Sequence, residues 1–436
     1  MNDLKLFTIC CAFSLPKYPK QSFTYPSNTF GVFITTIRQN PLPNWPNEIH
    51  GCIGYWQNTP MTTLQISENI CKLSKSSLWE DNRRHYHPSI LLEPNAKIEI
   101  NFMLLPLKNA NNFNPKTEGL IVEFQGKRAT YLPNVFPNKT IEEIKKLLME
   151  KAGVKTGKFH KYSTKIIQTP INIILSKKYT EFIVKQFFNF MNENWNDFVP
   201  YSYDNTITID KTQNVRNCAT LKDMLDWPQF LNTKLLQKIQ NTTNYYINKY
   251  KNKNMRQANA FLLGVMSYLK YNTKELCYSL YSQLNEMDPQ FELGEVLIAL
   301  NEVCPKKNIL QKWQKYMFTR LDKINDIFEY NWQAKYLYSL HKNGFNIKNY
   351  AEKLFKKINN MEFNQNNETN YLAVQFEALC SLYGCQMPFS NKIFYLWILL
   401  LQRWKNGLFY FKNNTARIDI TGHILNGLKI LINLIK

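Results

Sequence analysis

The chain has 436 residues and a mass of 51.7 kDa, which at roughly 100–200 residues per domain predicts two or three domains. Hydrophobic residues make up 44% and charged residues 20%, which excludes disorder as the main state, and 14 Gly with 19 Pro exclude fibrous and low-complexity architectures. A formal net charge of +21 points to nucleic acid, anionic lipid or an acidic partner.

At the N-terminus, residues 6–15 form an apolar stretch. Asp3 spoils the positive flank that a signal peptide needs, and no small-x-small cleavage site follows before Pro16. Residues 30–37 and 98–104 are β-branched runs that read as strands. Residues 120–124 and 128–132 flank Gly126 and read as a hairpin. Helical stretches lie at 63–77 and 140–151. The second opens with Thr140 and Glu143 at capping-box spacing and stops at Gly153, a C-cap residue. Without a βαβ rhythm, this half is α+β, a mixed or antiparallel sheet with helices.

Residues 202–217 are polar and lack clear periodicity. After Trp227 the periodicity is helical: 235–251, 255–271, 273–285, 294–303, 309–316, 331–343, 347–358, 370–383, 392–404 and 422–435. Short loops between them mean antiparallel neighbours, so this half is an all-α domain of paired helices, an α/α toroid or a helical-hairpin array. The expected division is 1–190, a crossover over 191–227, and 228–436. The longest other apolar run, 393–401, has nine residues and is too short to span a bilayer, so no membrane insertion is expected.

The charge is spread evenly. Through Phe190 there are 24 basic and 13 acidic residues, net +11, and the remainder has 30 and 20, net +10. With 52 Asn, this pattern reads as the output of an AT-rich genome rather than a basic face. The nine Cys (10, 11, 52, 71, 218, 277, 304, 380 and 385) show no CxxC pair, which fits reduced thiols in the cytoplasm, with the nucleus as the alternative.

The most informative segment is Glu48-Ile49-His50-Gly51-Cys52-Ile53-Gly54-Tyr55-Trp56. A Cys set among glycines sits on backbone that a ligand can approach closely. The segment resembles the Leu-Arg-Gly-Cys-Ile-Gly signature of the AMME chromosomal region protein family. Matching blocks follow in order: the strand 30–37, the helix end and turn at Ser76–Arg83 with Asp81 and Arg83, the strand 97–104, Glu118-Gly119-Leu120-Ile121-Val122 with Glu118 in place of the family's His, 127–135, and Lys151-Ala152-Gly153. The resemblance covers roughly residues 6 to 185. It implies a regulatory or scaffold role of the kind ascribed to eukaryotic relatives. Bacterial and archaeal relatives accompany a Memo-like protein and a radical S-adenosylmethionine protein.

His50 stands where the family carries Arg, and a mostly neutral imidazole is a weaker anion contact than a guanidinium. His50 and Cys52, two apart on a strand, are expected to share a face and form the candidate nucleophile–base pair. Gly51, Gly54, Asp81, Arg83 and Glu118 are the candidate ligand-binding residues. His85 and His87 beside Arg83 and Arg84 read as a basic turn rather than a metal site.

In the second half, Gly407–Phe411 and Ala416–His423 stand out. Asp419 and His423 are four apart and share a helix face, while Asp419 or Thr421 can cap the last helix. Paired carboxylates would need a second acid such as Glu292, Glu295 or Glu377 opposite. No Walker, GxGxxG or GxSxG motif occurs. The expected function is therefore an intracellular regulatory protein with a protein partner and no cofactor. The alternatives are a Cys52 enzyme and a nucleic-acid binder that rests on charge alone.

Overall fold

Strand β1 (Thr29–Ile37) buries Val32 and Ile34 on one side, while Phe30, at a register shift, joins Met103, Ile121 and Tyr162 in a core that Phe33 packs against. In the computed structural model it sits between β2 (Ile49–Trp56) and β3 (Lys97–Asn109). The structure describes residues 2–15, 23–39, 48–81, 90, 93–196, 198–204, 206–210, 212–249, 255–288, 292–321, 323, 326–362, 367–411 and 415–434. They fall into two compact units, Met1–Ile174 and Leu175–Lys436.

In the N-terminal unit, β4 (Glu118–Phe124), β5 (Lys127–Tyr131) and β6 (Lys158–Pro170) complete an antiparallel sheet of order β2-β1-β3-β6-β4-β5. The β4–β5 hairpin turns through Gln125 and Gly126, both at positive φ, which matches the right-handed twist of the flanking strands. Helix α1 (Asn2–Ala12) packs on α2 (Thr63–Trp79), and Trp79 Nε1 donates to the Ala12 carbonyl at 2.6 Å. The apolar stretch near the N-terminus is therefore core, with Leu6, Phe7, Ile9 and Phe13 buried. Helix α3 (Ile141–Ala152) has the predicted capping box at Thr140 and Glu143 and the left-handed Gly153. Its Ile144 and Leu148 close a core on Leu120, Val122 and Ala129.

The C-terminal unit begins with α4 (Lys177–Asn194), the short strands β7 (Ser202–Asp204) and β8 (Thr206–Thr208), and α5 (Asn214–Leu225). Residues 191–227, expected as a crossover, thus contain a helix and two short strands. Then come α6 (Thr233–Ile247), α7 (Arg256–Tyr268), α8 (Lys274–Ser282), α9 (Leu293–Val303) and α10 (Lys307–Thr319). They are followed by α11 (Ile327–Lys342), α12 (Lys348–Asn360), α13 (Thr369–Gly384) and α14 (Asn391–Gln402). A hairpin of β9 (Trp404–Lys405) and β10 (Leu408–Phe409), then β11 (Ala416–Arg417), leads into α15 (Ile418–Leu434).

Among the described residues, α5, α7, α9, α11, α13 and α15 each pack on the next, and α15 returns to α5, closing a ring. Helices α6, α8, α10, α12 and α14 lie outside it against their sequence neighbours. Of the two arrangements expected, this is the toroid. Burial follows position: outer α12 buries only Ala351, Leu354 and Ile358, one helical stripe, whereas inner α13 buries residues on every face. No helix among the described residues is long and apolar enough to cross a membrane.

Candidate functional site

The Gly-Cys segment lies on β2, an edge strand. Its register with β1 pairs Thr36 with Gly51 but Ile37 with Ile49, so His50 is the extra residue of a β-bulge. The bulge breaks the alternation that would put His50 and Cys52 on one face. His50 is buried, its Nε2 donates to the Leu78 carbonyl at 3.0 Å, and Arg38 donates to its Nδ1 at 3.3 Å. With one ring nitrogen donating and the other accepting, the imidazole is an anchor between α2 and the Arg38–Glu93 ion pair. It has no ring nitrogen left to serve as a base toward Cys52.

Both flanking glycines serve close contact within the fold. A Cβ at Gly51 would fall 1.9 Å from the Ser77 carbonyl oxygen, and a Cβ at Gly54 would fall 2.2 Å from the Phe33 ring. Ser77 Oγ donates to the Gly51 carbonyl at 3.1 Å, joining α2 to the strand. The partly buried Cys52 receives a hydrogen bond from Thr35 Oγ1 at 3.3 Å, and its N–H donates to Asp81 Oδ2 at 2.9 Å. Asp81 is buried and holds the strand's backbone. Glu118 accepts from the Asn114 N–H at 2.8 Å and pairs with Lys161 at 3.1 Å, so it fastens a loop to β6. Arg83, His85 and His87 lie outside the described residues. No cluster of three or more metal-ligating side chains occurs among the described residues.

A denser set of charges lies inside the ring of the C-terminal unit. Glu377 of α13 is fully buried; it accepts from Asn331 Nδ2 at 2.7 Å, meets His423 Nδ1 at 2.7 Å, and pairs with Lys335 at 3.5 Å. Lys335 also pairs with Glu295 of α9 and lies 4.8 Å from the centre of the Trp332 ring. Burial pushes the Glu377 carboxyl up, but Lys335 and His423 outweigh it and hold the group at about 2. Burial lowers the His423 pKa, and Glu377 more than restores it, so the net direction is up.

His423 is thus held by Glu377 rather than by Asp419, four positions before it on the same helix. Asp419 instead accepts from Arg216 at 3.1 Å and from Arg417 at 3.1 Å, and Thr421 Oγ1 accepts the Phe409 N–H at 3.3 Å. Of the acids expected opposite, Glu295 and Glu377 reach the interior, whereas Glu292 pairs with Arg256.

Two cavities of about 510 and 540 Å³ occupy the ring interior, and Asp223, Phe261, Lys335 and Asn426 line both. Asp223 lies in the crossover segment and was not singled out by any sequence pattern. It is 5% exposed, makes no hydrogen bond or ion pair among the described residues, and burial pushes its carboxyl up to about 7 against the pull of Lys222 and Lys335. Asp223 Oδ2 lies 2.3 Å from where a Cβ on Gly422 would sit.

Cys277 and Cys304 are bonded as a disulfide, a pairing that the spacing did not suggest and a departure from all-reduced thiols. Of the other cysteines, Cys52 and Cys71 are partly exposed and the remainder buried.

No curated protein matches the chain. Among solved structures, the uncharacterized protein PH0010 from Pyrococcus horikoshii is similar at 22% identity and a TM-score of 0.31, the match covering 38% of this chain and 87% of that one. Residues 11–168 match the AMMECR1 family model, and the N-terminal part of the chain therefore carries an AMMECR1 domain.

Proposed function

We propose that the chain is an intracellular regulatory protein whose AMMECR1 domain docks a protein partner and does not use Cys52 as a nucleophile. The observation that carries this reading is the fate of the Gly-Cys segment: its glycines are filled by Ser77 and Phe33, and both nitrogens of His50 are engaged. A ligand thus finds neither the open approach nor the base that the enzyme alternative requires. The docking surface is the outer side of β2 with α2. There Tyr55 is 47% and Leu64 59% exposed, beside a cavity of about 290 Å³ lined by Tyr55, Gln65, Glu68 and Asn69. An edge strand with exposed large side chains is a docking element.

The test compares partners retained by tagged full-length protein and its variants. Cys52→Ala is expected to retain the wild-type partner, and Tyr55→Ala with Leu64→Ala to lower retention at least tenfold. Loss with Cys52→Ala, or full retention by the double variant, contradicts the reading. Salt-sensitive capture of nucleic acid in place of protein would favour the charge-based alternative.

A further inference from the structure

The charged groups inside the ring are matched to one another. Arg216 and Arg417 converge on Asp419, and Lys335 is held by Glu295 and Glu377. An anionic ligand would have to break these pairs, and a cationic one would meet Lys335 beside Asp223. One group without a match is easily neutralised. The Asp223 carboxyl, which lines both cavities, has no hydrogen-bond or ion-pair partner among the described residues. Buried acceptors without donors are costly unless a ligand or water supplies the donor.

Phe261, Phe328 and Trp332 add aromatic surface to the cavity of about 510 Å³, whose volume falls within the roughly 300–1,000 Å³ of small-molecule sites. Aromatic faces that accept C–H groups, together with a carboxyl donor, suit a ring bearing several hydroxyls. We propose that the ring interior of the C-terminal unit binds a neutral carbohydrate, with Asp223 donating to a ligand oxygen and the aromatic side chains packing against its ring. Burial pushes the Asp223 carboxyl up to about 7, so a neutral, donating form is populated near neutral pH. Gly422 lets that carboxyl lie directly against α15, where any side chain would displace it.

The experiment titrates the full-length protein calorimetrically with glucose, maltotriose, cellotriose, xylotriose and chitotriose, and with glucuronate and choline as charged probes. At least one neutral saccharide is expected to bind saturably at millimolar concentration or below. Asp223→Ala should weaken it by roughly tenfold, the loss of one buried hydrogen bond. Gly422→Ala should weaken it comparably by moving the carboxyl, whereas Asp223→Asn, which keeps a donor, should stay within a few-fold. Thermal unfolding of each variant distinguishes loss of binding from loss of fold. Asp223 has no partner to orphan, so its substitution should leave the melting temperature unchanged or higher. The proposal is overturned if no neutral saccharide binds, if binding is indifferent to Asp223→Ala in a folded variant, or if either charged probe binds more tightly.

Discussion

Gly51→Ala is expected to destabilise the N-terminal unit by about 3 kcal/mol or more, or to prevent its folding. The added methyl would lie 1.9 Å from the Ser77 carbonyl oxygen and 2.9 Å from its carbonyl carbon, and both atoms are backbone of α2. No side-chain rotation relieves that contact, so the helix must move away from the strand. Moving it breaks the Ser77–Gly51 and Ser77–Thr36 hydrogen bonds and disturbs the His50 anchor on Leu78. Gly54→Ala meets the Phe33 ring instead of backbone, and a ring can shift, so a smaller loss of about 1–3 kcal/mol is expected. Gly126→Ala meets open space and suffers only its positive φ of 78°, about 1 kcal/mol. Urea unfolding of the three variants should reproduce this order. A Gly51→Ala protein within about 0.5 kcal/mol of wild type would show that the segment is free to adapt and open to a ligand.

The second large effect lies at Glu377. Removing its carboxylate with Glu377→Ala takes the shared acid from the buried Lys335 and His423, leaving Lys335 with Glu295 and Asp223 and His423 with Asp419 nearby, and should cost about 3–5 kcal/mol. The pH dependence carries the sign of each group. Glu377 is held at about 2, below its ordinary 4.5, so its contribution is complete above 4.5 and is lost as the pH falls toward 2. His423 is raised above its ordinary 6.5, so its contribution is complete below 6.5 and is lost as the pH rises through the folded value. The network is therefore strongest between about pH 4.5 and 6.5. Glu377→Gln should flatten the limbs on both sides of that window in a plot of unfolding free energy against pH. A variant that keeps both limbs would place the titrating groups elsewhere.

Much of the local structure was legible because its determinants are local. The capping box at Thr140, the turn at Gly126 and the inner-helix periodicity of residues 370–383 all depend on residues within a few positions of one another. Strand β6 was missed because its alternation is weak. Only Tyr162, Ile167 and Thr169 are well buried, and the strand is held in place by β3 and β4 on either side. Helix α5 was concealed by its polar start, although Cys218, Leu221 and Leu225 sit at helical spacing.

The site was harder to see. Glu295, Glu377, Asp419 and His423 could be named as candidates, but their partners come from helices up to 203 positions away, as Arg216 does for Asp419. The bulge at His50 depends on the β1 register, so the supposed Cys–His pair followed from an alternation the strand does not keep. Asp223 had no sequence signal at all, because its significance arises only when the ring closes around it.

The central claim is that the Gly-Cys strand is structural and that an unpartnered buried carboxyl, Asp223, lies inside the helical ring. Its most direct test is the pH dependence of Cys52 alkylation in the native protein. Cys71→Ser removes the other partly exposed thiol, and Cys52→Ala supplies the background. The account predicts slow alkylation that follows an ordinary thiol, with an apparent pKa at or above about 8.5. Fast alkylation with an apparent pKa well below that value would contradict it and return the active centre to Cys52.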